Sequence, residues 1–247
     1  MNLHNGTLIF AHRGASGTHP ENTMTSFEKA YEVGSEGIEL DVHLTKDGEV
    51  VVLHDEKVDR TTDGTGFVQD KTEKEMKQLD AGVWFSQKYK GEKIPTLQEV
   101  LEWISNKSMR LNIELKNDLI PYKGLEEKVI QMVHNYGLSD SVILSSFNHY
   151  SLVKVNQISG EIKTAVLTTD ILYQPWHYVK SLGASALHCS RSYALSNMVA
   201  EAQKYIPVRA FTINDETEMK ELLAKRLSAL MTDFPERAIK VRSSLFE

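Results

Sequence analysis

Cys189 is the only cysteine in this chain of 247 residues, so a disulfide within the chain is impossible and a reducing compartment is the expected setting. No apolar run approaches the roughly 18 residues that a membrane-spanning helix needs, and no basic, long-apolar leader pattern opens the sequence. The expectation is a cytoplasmic protein without a stable membrane anchor. Basic charge is not in excess either. With 28 Lys and Arg against 34 Asp and Glu the net charge is −6, and no basic face is evident that would hold nucleic acid or an anionic membrane non-specifically. A glycine-rich phosphate loop is missing, which argues against an open doubly wound nucleotide-binding sheet. Hydrophobic content of 41% and charged content of 25% fit an ordinary globular chain.

What is present is an alternation of strand-like and helix-like segments. Strand-like runs cover Leu8–His12, Gly37–His43, Leu111–Leu115, Val142–Ser145, Thr164–Leu167, Ala186–Cys189, Val208–Thr212 and Ala229–Thr232. Between them lie amphipathic stretches with recognisable starts. Thr96 with Glu99 makes a capping box ahead of Val100, Leu101, Trp103 and Ile104. Asp215 with Glu218 makes a near relative of it, and Asn148 and Ser196 are expected N-caps. Gly34 and Gly137 are expected just past helix ends. Eight strands, each followed by a helix, predict an α/β fold, the (β/α)8 TIM barrel, which at about 250 residues is a single domain spanning 1–247.

One stretch interrupts the alternation. Thr45-Lys46-Asp47-Gly48-Glu49 carries an Asp-Gly turn signal, so Val50–His54 is expected to return as a hairpin arm beside the second strand. From Asp55 to about Pro95 the chain is polar, with a short helix capped by Thr72 and Glu75 and the aromatics Trp84, Phe85 and Tyr89. A connection this long is usually functional or disordered, and its apolar content favours an ordered insertion over the barrel mouth.

The polar residues that matter sit at the ends of apolar runs: His12 and Arg13, Glu39 and Asp41, His54, Glu114 and Lys116. Side chains alternate along a strand, so Glu39 and Asp41 share a face, and Glu114 and Lys116 do the same. Charges on apolar strands are costly unless paired or metal-bound. In a barrel the strand C-termini form one rim, where active sites lie, and these residues would converge there. Three facing carboxylates need a cation, and an oxygen-only set favours Ca²⁺ or Mg²⁺ over zinc. A divalent ion, Arg13 and Lys116 against three carboxylates leave a site of about +1, suited to a phosphodiester monoanion. Two histidines near neutral pKa could serve as acid and base.

The ordered set His12-Arg13-Gly14, Pro20-Glu21-Asn22-Thr23, Glu39-Leu40-Asp41-Val42, Thr45-Lys46-Asp47-Gly48, His54-Asp55, Arg60-Thr61-Thr62, Ile94-Pro95-Thr96-Leu97, Glu114-Leu115-Lys116, Ser145-Ser146-Phe147 and Thr232-Asp233-Phe234-Pro235 resembles the glycerophosphodiester phosphodiesterases from about residue 8 to about residue 240. Each motif is weak alone; their order is specific. The resemblance implies a distorted barrel with a family-specific insertion at 55–95, and one divalent cation on Glu39, Asp41 and Glu114. It also implies catalysis by His12 and His54, with Arg13 and Lys116 at phosphate-contacting positions. The reaction implied is hydrolysis of a small-molecule glycerophosphodiester to sn-glycerol 3-phosphate and an alcohol. Attack by the substrate's own 2-hydroxyl would pass through a cyclic phosphate, the route related barrels favour over direct attack by water. One departure is Phe211-Thr212-Ile213-Asn214 where the family commonly has Trp-Thr-Val-Asn, so Phe211 keeps an aromatic face toward substrate without the indole N–H.

Blander roles suit other residues. His43 shares the face of Glu39 and Asp41 but is not expected to be a ligand. His188 and Cys189 are adjacent, hence on opposite faces, and read as packing. Glu21 and Asn22 could touch the site, but the commoner expectation is that they shape their loop and cap the first helix; Asp47, Asp63 and Asp70 are expected to form turns or face solvent. Phe27, Trp103 and Trp176 read as core or rim packing. A silent phosphate-binding barrel would lack a catalytic histidine or a metal carboxylate, and none is missing. A glycoside hydrolase would leave both histidines, Arg13 and Lys116 without a purpose.

Overall fold

The computed structural model describes residues 6–246. Its strands are β1 (Leu8–Ala11), β2 (Gly37–Leu44), β3 (Val50–Val52), β4 (Arg110–Leu115), β5 (Val142–Ser146), β6 (Lys163–Thr168), β7 (Ala186–Ser190), β8 (Val208–Phe211) and β9 (Ala229–Thr232). All but β3 run parallel, each hydrogen-bonded to the next, and β9 pairs back with β1 through Leu8–Ala229 to Ala11–Thr232. The eight close into a (β/α)8 barrel, as the alternation predicts. β3 is the expected hairpin arm, antiparallel to β2 with His43 opposite Val51.

Alternation along each strand divides the core. Ile38, Leu40, Val42, Leu111, Ile113 and Leu115 point outward into the helices, while Phe10, Ala229 and Met231 fill the lumen beside Leu8 and Phe211. Gly37 is small because Phe10 lies there: an added Cβ would come within 2.5 Å of its ring. His188 and Cys189 also divide as expected. Cys189 joins the outer core, and His188 accepts a hydrogen bond from Arg209 Nη1 at 3.1 Å.

Helix starts follow the sequence in most cases. Thr96 and Thr72 form reciprocal capping boxes with Glu99 and Glu75, and the Asp215 side chain accepts from Thr217 and Glu218 N–H. Gly34 and Gly137 follow helices Met24–Glu32 and Leu125–Asn135 with φ of 85° and 67°. Two caps differ. Ser196 ends the helix Arg191–Leu195 rather than starting one, because its hydroxyl turns back to the Tyr193 carbonyl. Asn148 stands at the N-cap of His149–Ile158, but its amide donates to the Asn117 carbonyl at 3.0 Å instead of capping.

Between β3 and the helix Leu97–Ile104 the insertion folds on its own apolar cluster of Val51, Leu53, Val58, Val68, Met76, Ala81 and Ile94. Burying each of the larger side chains contributes about 1.5–3 kcal/mol, so ordinary packing seats this segment. Tyr89 Oη donates to the Thr18 carbonyl on the loop after β1. Among the described residues, no helix is long and apolar enough to cross a membrane.

Candidate active site

β2 and β4 set the centre of the site. Their register places Asp41 beside Glu114, and Glu39, two residues back, on the same inward face. The three carboxylates are buried, with one oxygen of each within 4.8 Å of the others. Burial, then repulsion from Asp41 and Glu114, raises Glu39 well above the usual carboxylate range. Burial and Asp41 push Glu114 up to about 7. At Asp41 burial also opposes ionisation, but Arg13, His54 and Lys116 outweigh it and hold that carboxyl below its ordinary value. Among the described residues, buried Asp41 Oδ1 has no hydrogen-bond partner. A buried, oxygen-only donor set with an unsatisfied oxygen fits a hard divalent cation.

The loop after β1 wraps this cluster. Arg13 and Asn22 both take left-handed backbone, φ 54° and 55°, each costing about 1 kcal/mol or more. That geometry turns the Arg13 N–H onto Glu39 Oε2 at 2.9 Å and the Asn22 amide onto Asp41 Oδ2 at 2.9 Å. Gly14, φ 80°, is obligatory because a Cβ there would lie 2.7 Å from the Ser26 backbone carbon. The Arg13 guanidinium donates to Glu21 Oε1 at 2.8 Å and lies 3.6 Å from Asp41. Asn22 thus serves the acidic cluster rather than the helix, whose cap is Thr23 in a box with Ser26.

Two imidazoles flank the cluster in matching environments. His12 Nδ1 donates to Asp233 Oδ1 at 2.7 Å and His54 Nδ1 to Asp55 Oδ1 at 2.6 Å. A carboxylate only accepts, so both rings carry the proton on Nδ1. His54 Nε2 accepts from Lys116 Nζ at 3.3 Å, and Lys116 also donates to Glu114 at 3.0 Å. Burial lowers the His54 pKa, and Arg13 and Lys116 add to that. His43 is not part of the carboxylate group: its Nε2 donates to the His54 carbonyl and its Nδ1 accepts from Tyr122 Oη. Phe211 ends β8, across the barrel from β4, half-buried and edge-on to Phe147 with centroids 6.1 Å apart.

The geometry therefore gathers His12, Arg13, Glu39, Asp41, His54, Glu114 and Lys116 at one rim. Phe211 ends the strand opposite β4, packed against the lumen cluster of Phe10, Ala229 and Met231. Asp233, Asn214, Asn22, Glu21 and Arg60 join them without having been singled out for these roles. Asp233 follows the end of β9 directly and Asn214 lies three residues past the end of β8, positions that mark rim residues in a barrel.

Fold and rim together define a TIM-barrel enzyme. Residues 12–237 match the sequence profile of the Glycerophosphoryl diester phosphodiesterase family, and the chain belongs to that family of phosphoric diester hydrolases. It is similar to a glycerophosphodiester phosphodiesterase of Caldanaerobacter subterraneus subsp. tengcongensis, 43% identical over 95% of this chain and 97% of that one. A glycerophosphodiester phosphodiesterase of Bacillus altitudinis is 42% identical over 97% and 99%. Among solved structures, an Oleispira antarctica phosphodiesterase in complex with the product sn-glycerol-3-phosphate superposes with a TM-score of 0.88 at 35% identity, covering 98% of each chain.

Proposed function

We propose that this enzyme hydrolyses small glycerophosphodiesters to sn-glycerol 3-phosphate and an alcohol, as one cytoplasmic domain over 1–247 in which 55–95 is the family-specific insertion. The observation that carries the reading is the rim itself, where three buried carboxylates, two Nδ1-protonated imidazoles and two cations face one space. The names of the similar enzymes and the product held by the Oleispira neighbour support it.

Glu39, Asp41 and Glu114 would hold one Ca²⁺ or Mg²⁺, which when bound supplies positive charge for phosphate oxygens and eases deprotonation of a nearby hydroxyl. Arg13 and Lys116 take the phosphate, Arg13 with a fork-shaped guanidinium and Lys116 as a point charge. His12 and His54 divide the proton transfers: one accepts at Nε2 while the other, as imidazolium, donates to the departing alcohol. They exchange roles in the second step, when water opens the cyclic phosphate formed by the glycerol 2-hydroxyl. Asp55 and Asp233 keep each ring in the tautomer with Nε2 unprotonated, the state that can take up a proton there. Phe211 gives the glycerol moiety an apolar wall.

Release of glycerol 3-phosphate from glycerophosphoethanolamine tests the reading. Turnover should be abolished by a chelator and restored by Ca²⁺ or Mg²⁺. No turnover with any glycerophosphodiester would overturn it.

A further inference from the structure

Arg60 stands outside the acidic cluster, on the insertion, yet it uses the whole guanidinium edge on two carboxylates. Nε and Nη2 donate to Asp55 Oδ2 and Oδ1 at 2.8 and 3.0 Å, while Nη1 and Nη2 donate to Glu21 Oε2 and Oε1 at 2.8 Å each. Both carboxylates are already committed to site residues. Asp55 holds His54 Nδ1, and Glu21 holds the Arg13 guanidinium. A continuous chain of charge-assisted bonds therefore runs Arg13–Glu21–Arg60–Asp55–His54. It joins the loop after β1 to the start of the insertion, segments that the backbone connects through the helix Met24–Glu32, β2 and β3.

We infer that Arg60 is a positioning residue that keeps the His54 imidazole in register with the Arg13 guanidinium, an inference resting on the catalytic reading above. Bound phosphate would need both groups at fixed separation, yet they are carried by different segments. Without Arg60, Glu21 and Asp55 would face each other as like charges and each would draw its partner away. Stability does not explain the clamp. The Arg60 side chain is 44% exposed, which screens its ion pairs, and the insertion is seated by the apolar cluster around Met76 and Ile94. Lysine cannot substitute, because one ammonium cannot make parallel bonds to four oxygens of two carboxylates.

Arg60→Met and Arg60→Lys, assayed as full-length, metal-supplied enzyme, test the inference. Both should melt close to wild type while kcat/KM falls about 10²-fold, the usual cost of a displacement near 1 Å in a catalytic group. KM should rise through Arg13 and kcat fall through His54. In a Glu21→Gln/Asp55→Asn background, adding Arg60→Met should cost nothing further, because Arg60 then has no charged partner to act through. A full further loss in that background, or wild-type kinetics for Arg60→Lys, overturns the inference. His54→Ala run alongside separates the two readings. If that variant keeps wild-type activity, the two-histidine assignment fails; if it is inactive while Arg60→Met is fully active, only the positioning role fails.

Discussion

His12 Nδ1 and Asp233 Oδ1 lie 2.7 Å apart, although 221 positions separate them in the chain. Closure of β9 onto β1 brings them together, and Asp233 is in turn held by Asn214 Nδ2 at 2.6 Å and Ser16 Oγ at 3.0 Å. These donors and His12 keep the Asp233 carboxyl below its ordinary pKa despite burial. Asp233→Asn preserves shape but can offer an N–H to the ring, stabilising the wrong tautomer. With His12 as an acid/base group, kcat should fall by about 10²-fold or more while thermal stability stays near wild type. Steady-state kinetics beside a melting curve checks this; an unchanged kcat would remove His12 from proton transfer.

The acidic cluster makes the metal-free protein sensitive to pH. Glu39 and Glu114 are raised above the unfolded value of 4.5, Glu114 to about 7. Between those values the folded state binds more protons than the unfolded one, so stability falls as pH rises through the window. For Glu114 the effect is up to roughly 3 kcal/mol. In chelator, Glu114→Gln should therefore melt above wild type at pH 8, with the gap closing toward pH 5. Excess Ca²⁺ or Mg²⁺ should reverse the order by stabilising wild type alone, and the variant should be nearly inactive. Near wild-type rates from Glu114→Gln in chelator-treated buffer would dismiss the three-carboxylate metal site.

The route of phosphate transfer is open to substrate chemistry. A diester of 2-deoxyglycerol lacks the internal nucleophile, so it should bind but turn over poorly, and wild-type enzyme with the natural diester should release a trace of cyclic phosphate visible by ³¹P NMR. Full-rate hydrolysis of the deoxy analogue would eliminate the cyclic intermediate and leave the histidine roles intact.

Phe211 ends β8, opposite β4 in the barrel, and meets Phe147 edge-on. Its contact with substrate would be made equally in the ground and transition states, so Phe211→Ala should raise KM by about 10-fold with little change in kcat. Equal KM values for wild type and variant would reduce Phe211 to lumen packing against Phe10 and Met231.

Much of this enzyme was legible along the chain because backbone geometry imposes short, fixed periods. Two-residue alternation placed Glu39 with Asp41 and Glu114 with Lys116 on inward faces, and the Asp47-Gly48 turn announced the β2–β3 hairpin that carries His54 to the rim. Thr72, Thr96 and Asp215 marked helix starts because a cap is a contact over three residues. The local signal misled at Ser196, which ends a helix; Asn148 does stand at a helix start, though its side chain finds its partner elsewhere.

What tertiary structure alone decided were the pairings made by barrel closure. Asp233 with His12, Asn22 with Asp41, and Arg60 between Glu21 and Asp55 depend on which loops meet at the rim, and no period in the sequence encodes a meeting across the barrel. The ionisation of the cluster follows the same logic. Three carboxylates in a sequence are three ordinary acids; buried within 4.8 Å of one another they cannot all stay charged unaided. Sequence thus determined which chemical groups reach the rim, through strand alternation. Closure of the barrel determined their partners, tautomers and charge, because those depend on distances through space and on exclusion of water.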